Sequence, residues 1–179
     1  MSKKLKDLLS TSLYLLIVLA LTFLIVTYVG QRTKVIGISM EPMLMDGDNL
    51  IVDKLSYRFE DPRRYDIIVF PFRYAERTYY IKRIIGLPGE TVYIDEEGNI
   101  FIDGELLAES YGKEVITDPG RAYDPVTLGD DEYFVMGDNR NNSSDSRDPV
   151  VGNIHRDEFI GKAWMRIWPL KKMGMIRHQ

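Results

Sequence analysis

Between Leu8 and Gly30 the chain carries no charged residue, and no other stretch limits the possible folds so much. Crossing a hydrocarbon core of about 30 Å takes about 20 apolar residues in a helix. A buried helix of a soluble domain usually shows a polar stripe or a shorter apolar run, and a cleaved leader has an apolar core of about 7–15 residues ending in small residues at the cut. Tyr28-Val29-Gly30-Gln31 is a poor cut of that kind, so the sequence predicts a retained transmembrane anchor over 8–30. Lys3, Lys4 and Lys6 precede it, which predicts a cytoplasmic segment 1–7 and an extracytoplasmic domain 31–179, with Arg32 and Lys34 reducing the asymmetry. The expected location is a cell membrane crossed once.

A chain of 179 residues, 45% of them hydrophobic, has room for that anchor and one soluble domain with its own core. A net charge of −4 speaks against a nucleic-acid partner, since no dominant basic face is available to displace counterions from phosphates. The absence of cysteine removes disulfides, thiol catalysis and cysteine-ligated zinc. His155 and His178 lie apart in sequence and outside any H-E-x-x-H pattern, so each reads as a structural or surface residue, and neither a metal nor a cofactor is expected.

After the anchor the sequence breaks into short β-like pieces: Asn49–Val52, Asp66–Phe70, Tyr79–Ile85, Thr91–Ile94, Ile100–Ile102, Tyr133–Met136 and one or two strands within Phe159–Trp168. Branched and aromatic residues dominate them, and Gly47, Pro62, Pro71, Gly86, Pro88 and Gly89 interrupt them. Asp95-Glu96-Glu97-Gly98-Asn99 has the chemistry of a hairpin tip. Leu106–Leu128, polar and rich in Gly, Pro and Asp, reads as an excursion from the main sheet. Alternation at the end of Phe159–Trp168 puts Trp164, Arg166 and Trp168 on one face, opposite Ala163, Met165 and Ile167. Core packing accounts for at least one face there, and tryptophans beside a cation also suit a bilayer interface.

Three stretches carry chemistry. The first is Ile36-Gly37-Ile38-Ser39-Met40-Glu41-Pro42, where a serine between glycine and proline is presented by a turn; standing alone it is an ordinary turn. The second is Tyr80-Ile81-Lys82-Arg83-Ile84-Ile85, in which alternation sets Tyr80, Lys82 and Ile84 on one face and Ile81, Arg83 and Ile85 on the other. Each face therefore holds a cation among apolar neighbours. Lys82 reads either as a solvent-facing lysine whose stem covers apolar surface or as a desolvated amine of lowered pKa able to take a proton from a serine hydroxyl. Serine needs such a base, and the chain offers no Ser-His-Asp set. The third is Gly137-Asp138-Asn139-Arg140-Asn141-Asn142-Ser143-Ser144-Asp145-Ser146-Arg147, whose composition suits a solvated loop. Within it Asp145 and Arg147 are spaced for a fixed ion pair, and Ser143 or Ser144 offers a hydroxyl to hold a neutral amine.

In this order the three stretches, with the anchor and the piece from Asp48 to Lys54, resemble the type I signal peptidase (leader peptidase) family of membrane-anchored Ser-Lys proteases over nearly the whole chain. The resemblance implies that Ser39 is the acylating nucleophile, Lys82 its general base, and Ser143 the hydroxyl that orients the amine, with Asp145 and Arg147 holding the loop. It implies that the Ser39 backbone N–H meets the oxyanion. Some members add a serine hydroxyl two residues before the nucleophile. That position is Gly37 here, as in members common among Gram-positive bacteria. The family's common glycine before Asp66 is Tyr65 here, which implies a changed turn.

The implied fold is mainly β: one N-terminal helix, then an all-β catalytic domain of coiled antiparallel sheets with a smaller variable cap over about 91–128. The implied partners are the lipid bilayer and preproteins with small residues at the first and third positions before the cut, acted on by a monomer. Two other readings fit part of the pattern. A self-cleaving repressor-type Ser-Lys peptidase would bring a DNA-binding segment, whereas this chain has a membrane span. A non-catalytic anchored β-domain that binds exported peptides would leave Ser39 and Lys82 without a role.

Overall fold

The protein is described here over residues 3–177 of a computed structural model; His178 lies outside them. Helix α1 runs over Lys3–Leu24 and continues through one wider π turn, Ile25–Val29. Lys6–Val29 is long and apolar enough to cross a membrane, and its most apolar window is not buried against the rest of the protein. The Thr22 hydroxyl donates to Val18 O at 2.8 Å, which satisfies it within the helix, as lipid surroundings require.

Strand β1 (Gly30–Lys34) follows without a loop and pairs antiparallel with β2 (Asn49–Asp53), from Gly30 opposite Asp53 to Lys34 opposite Asn49. Nothing in Gln31-Arg32-Thr33-Lys34 announces a strand; its pairing with β2 makes it one. Next come β3 (Ile67–Pro71) and β4 (Tyr79–Gly86), then β5 (Thr91–Ile94), β6 (Ile100–Ile102), β7 (Glu105–Leu106) and β8 (Val126–Thr127). The chain finishes with β9 (Glu132–Met136), β10 (Ile154–His155), β11 (Gly161–Trp168) and β12 (Gly174–Met175). One antiparallel sheet has the order β1-β2-β11-β3-β4-β9-β10, with β12 on β11; the other has the order β7-β6-β5-β8. The architecture is therefore mainly β with one N-terminal apolar helix.

Three apolar clusters hold the sheets. Val35, Met40, Leu44, Leu50, Val69 and Ile81 fill one face of the large sheet, and Ile68, Phe70, Ile84 and Val135 lie in a second cluster. The third joins Val92, Ile94, Ile100 and Leu128 of the small-sheet region to Ile85, Phe134 and Met136, so the small sheet packs on the large one beside β4 and β9. Fully burying one such side chain contributes about 1.5–3 kcal/mol. The alternation expected along β4 holds, but both of its faces are covered, so Lys82 and Arg83 are both buried. Along β11 the expected faces do not hold. Register shifts after Ala163 and after Arg166 leave Trp164 and Trp168 exposed, while Arg166 turns inward to Asp48 at 3.0 Å.

Candidate active site

The turn between β1 and β2 closes on itself before it presents anything. Val35 N donates to Asp48 O at 2.8 Å, Gly47 N to Val35 O at 3.0 Å, and Gly37 N to the Asp46 carboxylate at 2.8 Å. Met40 and Leu44, buried in the core, pin its second half, and Ser39 stands partly exposed at the rim. Gly37 takes φ 93°, the left-handed region where a side chain is strained. Among the described residues the Ser39 N–H finds no protein acceptor.

Lys82 reaches Ser39 from β4. Its Nζ lies 2.9 Å from Ser39 Oγ and 3.1 Å from Ile81 O, and its side chain passes the Tyr80 ring, Nζ lying 4.9 Å from the centroid. At 3% exposure the amine is out of water, and that desolvation lowers its pKa from the usual 10.5 to about 8, against the opposing pull of Asp145 and Asp138. The solvent-facing reading of Lys82 is thus overturned by the cover that β4 receives on both faces. Near pH 8 about half of the molecules hold a neutral amine, which can accept a proton from the serine hydroxyl.

The stretch after β9 is not a solvated loop. Asp138, Asn139, Arg140, Asp145, Ser146 and Arg147 are all buried. Asp145 accepts Gly137 N at 3.0 Å and takes Arg147 in a two-pronged pair, Nε and Nη2 each at 2.9 Å. Arg147 also donates to Asp118 O at 3.1 Å and to Arg140 O, tying the loop to the 106–128 excursion and to itself. Asn139 holds the serine turn from above: its N–H donates to Ser39 O at 3.0 Å and its side-chain amide to Ile38 O at 3.1 Å. Gly137 makes that approach possible, because a Cβ there would collide with Ser143 Oγ and Ser39 O and lie 2.6 Å from Ser143 Cβ. The Ser143 hydroxyl is buried with no hydrogen-bond partner among the described residues. The bond expected from it to the amine is not formed; Lys82 is engaged by Ser39 Oγ and Ile81 O instead.

Sequence reasoning missed the supports around this loop. Arg83 and Asp138 form a fully buried two-pronged pair at 2.8 and 2.7 Å, and breaking such a pair by removing one partner costs about 3–5 kcal/mol. Burial pushes the Asp138 carboxyl up, and the Arg83 guanidinium beside it acts against that push. Arg83 further donates to Tyr65 O at 3.0 Å and lies 3.9 Å above the Tyr111 ring. Tyr65 has φ 73°, a conformation that suits glycine, and its ring sits 4.9 Å from that of Tyr111. Arg140 pairs with Glu109 at 2.7 Å. The signal in the sequence was the run of charges itself, and of their partners Arg83 lies on β4 and Glu109 in the excursion that resisted placement. Among the described residues no group of three or more potential metal-binding side chains is gathered. His155 lies on β10, its ring 3.2 Å from the Asp131 carboxylate, which raises its pKa.

An open groove of about 540 Å³ runs past Ser39, walled by residues 33–40 on one side and 77–82 on the other. Ile36 and Ile38 line it and are exposed. The site is thus a hydroxyl and a desolvated amine in contact at the side of an open groove.

Comparison with known proteins gives that arrangement its class. Residues 8–168 match the sequence profile of signal peptidase, peptidase S26. The chain belongs to this signal peptidase family, which makes it a serine peptidase. It is 40% identical over 155 residues to a probable signal peptidase I-2 of Synechocystis sp., covering 84% of this chain and 68% of that protein. Against signal peptidase I of Leptolyngbya laminosa the identity is 41%, with 84% and 74% covered. Against signal peptidase I P of Bacillus subtilis subsp. natto it is 36%, with 92% and 89% covered. A crystal structure of a signal peptidase I from Enterococcus faecalis V583 aligns with a TM-score of 0.46 at 31% identity, covering 57% of this chain and 97% of that one.

Proposed function

We propose that this protein removes signal peptides from secreted preproteins by a Ser39–Lys82 dyad, working at the outer face of the cytoplasmic membrane. The observation that carries the proposal is the 2.9 Å contact between Ser39 Oγ and the Nζ of a lysine held near pKa 8 by burial. Neutral Lys82 takes the hydroxyl proton as Ser39 Oγ attacks the scissile carbonyl carbon. The tetrahedral oxyanion is met by the Ser39 N–H, which has no other acceptor among the described residues. The Lys82 ammonium then gives its proton to the leaving amine, the C–N bond breaks, and the acyl-serine remains. Water attacks that ester with Lys82 again as base, releasing the signal peptide and Ser39.

Asp145 and Arg147 act indirectly, by fixing the loop whose Asn139 holds the serine turn. The substrate lies extended between residues 33–38 and 77–80, adding a strand by backbone hydrogen bonds. Small side chains are required at the first and third positions before the cut. Segment 1–7 is cytoplasmic, 8–30 is the anchor, and 31–179 is the extracytoplasmic catalytic domain, with 91–128 as its cap and a monomer as the working unit.

The test is cleavage of a preprotein with an Ala-x-Ala site by the detergent-solubilised full chain, with termini read by mass spectrometry. Wild type should cut after the second alanine, and folded Ser39→Ala and Lys82→Ala should not. Equal behaviour of all three would replace the proposal with a non-catalytic peptide-binding domain.

A further inference from the structure

Where the apolar helix ends, the surface carries three cations without an ion-pair partner among the described residues. A pocket of about 310 Å³ opens there between the π turn and the catalytic domain, and Lys54, Arg58 and Arg156 line it together with Thr27, Tyr28 and Tyr57. Among the described residues no carboxylate lines it. Lys54 Nζ donates to Thr27 O at 3.3 Å, the Arg58 guanidinium lies 5.5 Å from the Tyr28 ring centre, and Arg156 lies 5.1 Å from that of Tyr57. Among the described residues none of the three forms an ion pair.

Asp157, which follows Arg156, is exposed, whereas Asp53, Glu60, Asp66 and Glu158 are engaged elsewhere. Asp53 accepts Leu55 N at 2.7 Å and Ser56 N at 3.1 Å, Glu60 pairs with Arg63 at 3.4 Å, and Asp66, bonded to the Tyr57 hydroxyl, pairs with Lys162 at 2.6 Å. A pocket with three unpaired cations, walled partly by aromatic rings and placed where an apolar span meets water, matches one ligand in chemistry and depth. That ligand has an anionic phosphodiester, a glycerol backbone and chains running back along the helix.

We propose that this pocket holds the headgroup phosphate of an anionic glycerophospholipid in the leaflet where α1 ends, with Lys54, Arg58 and Arg156 on the phosphate oxygens. The proposal rests on reading α1 as a membrane span and is independent of the protease reading. Lys54 directly follows β2, which pairs along its whole length with β1, and β1 leads to the Ser39 turn. A lipid bound here braces that turn at a set height above the bilayer.

The test is native mass spectrometry of the full chain in detergent with added phosphatidylglycerol, phosphatidylcholine or inorganic phosphate. Wild type should retain one phosphatidylglycerol in preference to phosphatidylcholine, undisturbed by millimolar phosphate. Removing one cation should weaken retention about fivefold, so Lys54→Gln/Arg58→Gln should weaken it about 25-fold with an unchanged thermal midpoint. Arg156 is left in place because it packs on Tyr57 and Phe159.

Lys171→Gln/Lys172→Gln, a pair of exposed cations elsewhere, should bind as wild type does. Equal retention of phosphatidylcholine, equal loss in the Lys171/Lys172 variant, or displacement of the lipid by inorganic phosphate would each overturn the site. Failure of the chain to enter phospholipid nanodiscs would instead refute the anchor on which the site depends.

Discussion

Raising the pH from 7 to 9 should increase cleavage about tenfold, and one group should account for it. With the Lys82 pKa at about 8, about one molecule in eleven holds the neutral amine at pH 7 and about ten in eleven at pH 9. The same burial must also show in stability. An unfolded lysine keeps its proton up to the usual 10.5, whereas the folded one loses it near 8, so across that window the unfolded chain binds more protons. Stability therefore rises with pH between about 8 and 10.5, and below that window the folded state carries the full cost of the buried ammonium, about 3 kcal/mol. Lys82→Met keeps the volume and removes the charge. It should be the more stable protein at pH 7 by up to about 3 kcal/mol, with the advantage shrinking to nothing by about pH 10.5. The assays are kcat/KM of wild type on a signal-bearing substrate without groups titrating from pH 6.5 to 10, and denaturation of both proteins in the same detergent and buffers. A flat rate profile, or a methionine advantage that does not change with pH, would refute the reasoning.

Two other substitutions probe the backbone around the dyad. Gly137→Ala forces a methyl against Ser143 and the Ser39 carbonyl, so it should cost about 1–3 kcal/mol in denaturation. By moving the nucleophile it should also lower kcat about 100-fold, and wild-type values for both would show that the loop does not bear on the serine turn. Gly37→Ser meets no atom within 4 Å but places a side chain at φ 93°, so a stability loss of about 1–2 kcal/mol and no gain in kcat are expected. A large gain in kcat would mean that a hydroxyl at this position supplies a missing oxyanion donor, worth about 2.7–4 kcal/mol where a site depends on it.

What could be read from the sequence followed from local chemistry. Thr91–Ile94 and Ile100–Ile102 were placed to the residue because the Asp95–Asn99 turn between them fixes both ends. The Asp145–Arg147 pair is formed within three consecutive residues and was legible for the same reason. Lys82 was ambiguous because alternation assigns a face without saying whether that face is covered, and the serine turn that its amine meets lies 43 residues away. Arg83 meets Asp138 across 55 residues, and Arg140 meets Glu109 from the excursion that no periodicity could place. β1 was missed because a polar strand forms only once its neighbour exists. Arg166 was misassigned to the face of Trp164 and Trp168 because the two bulges of β11 break the period of two on which that reading depended.

The position of β11 in the large sheet has a consequence for timing. β1 and β2 frame the turn with Ser39, β3 and β4 carry Lys82, and the two halves are joined in the sheet through β11, which enters between β2 and β3 after every other long strand has been made. A nascent chain stopped short of Gly161 holds the hydroxyl, the amine and the loop 137–147, yet lacks the strand that fixes them side by side. The strand order thus makes closure of the sheet around the site depend on the C-terminal segment from Gly161 onward.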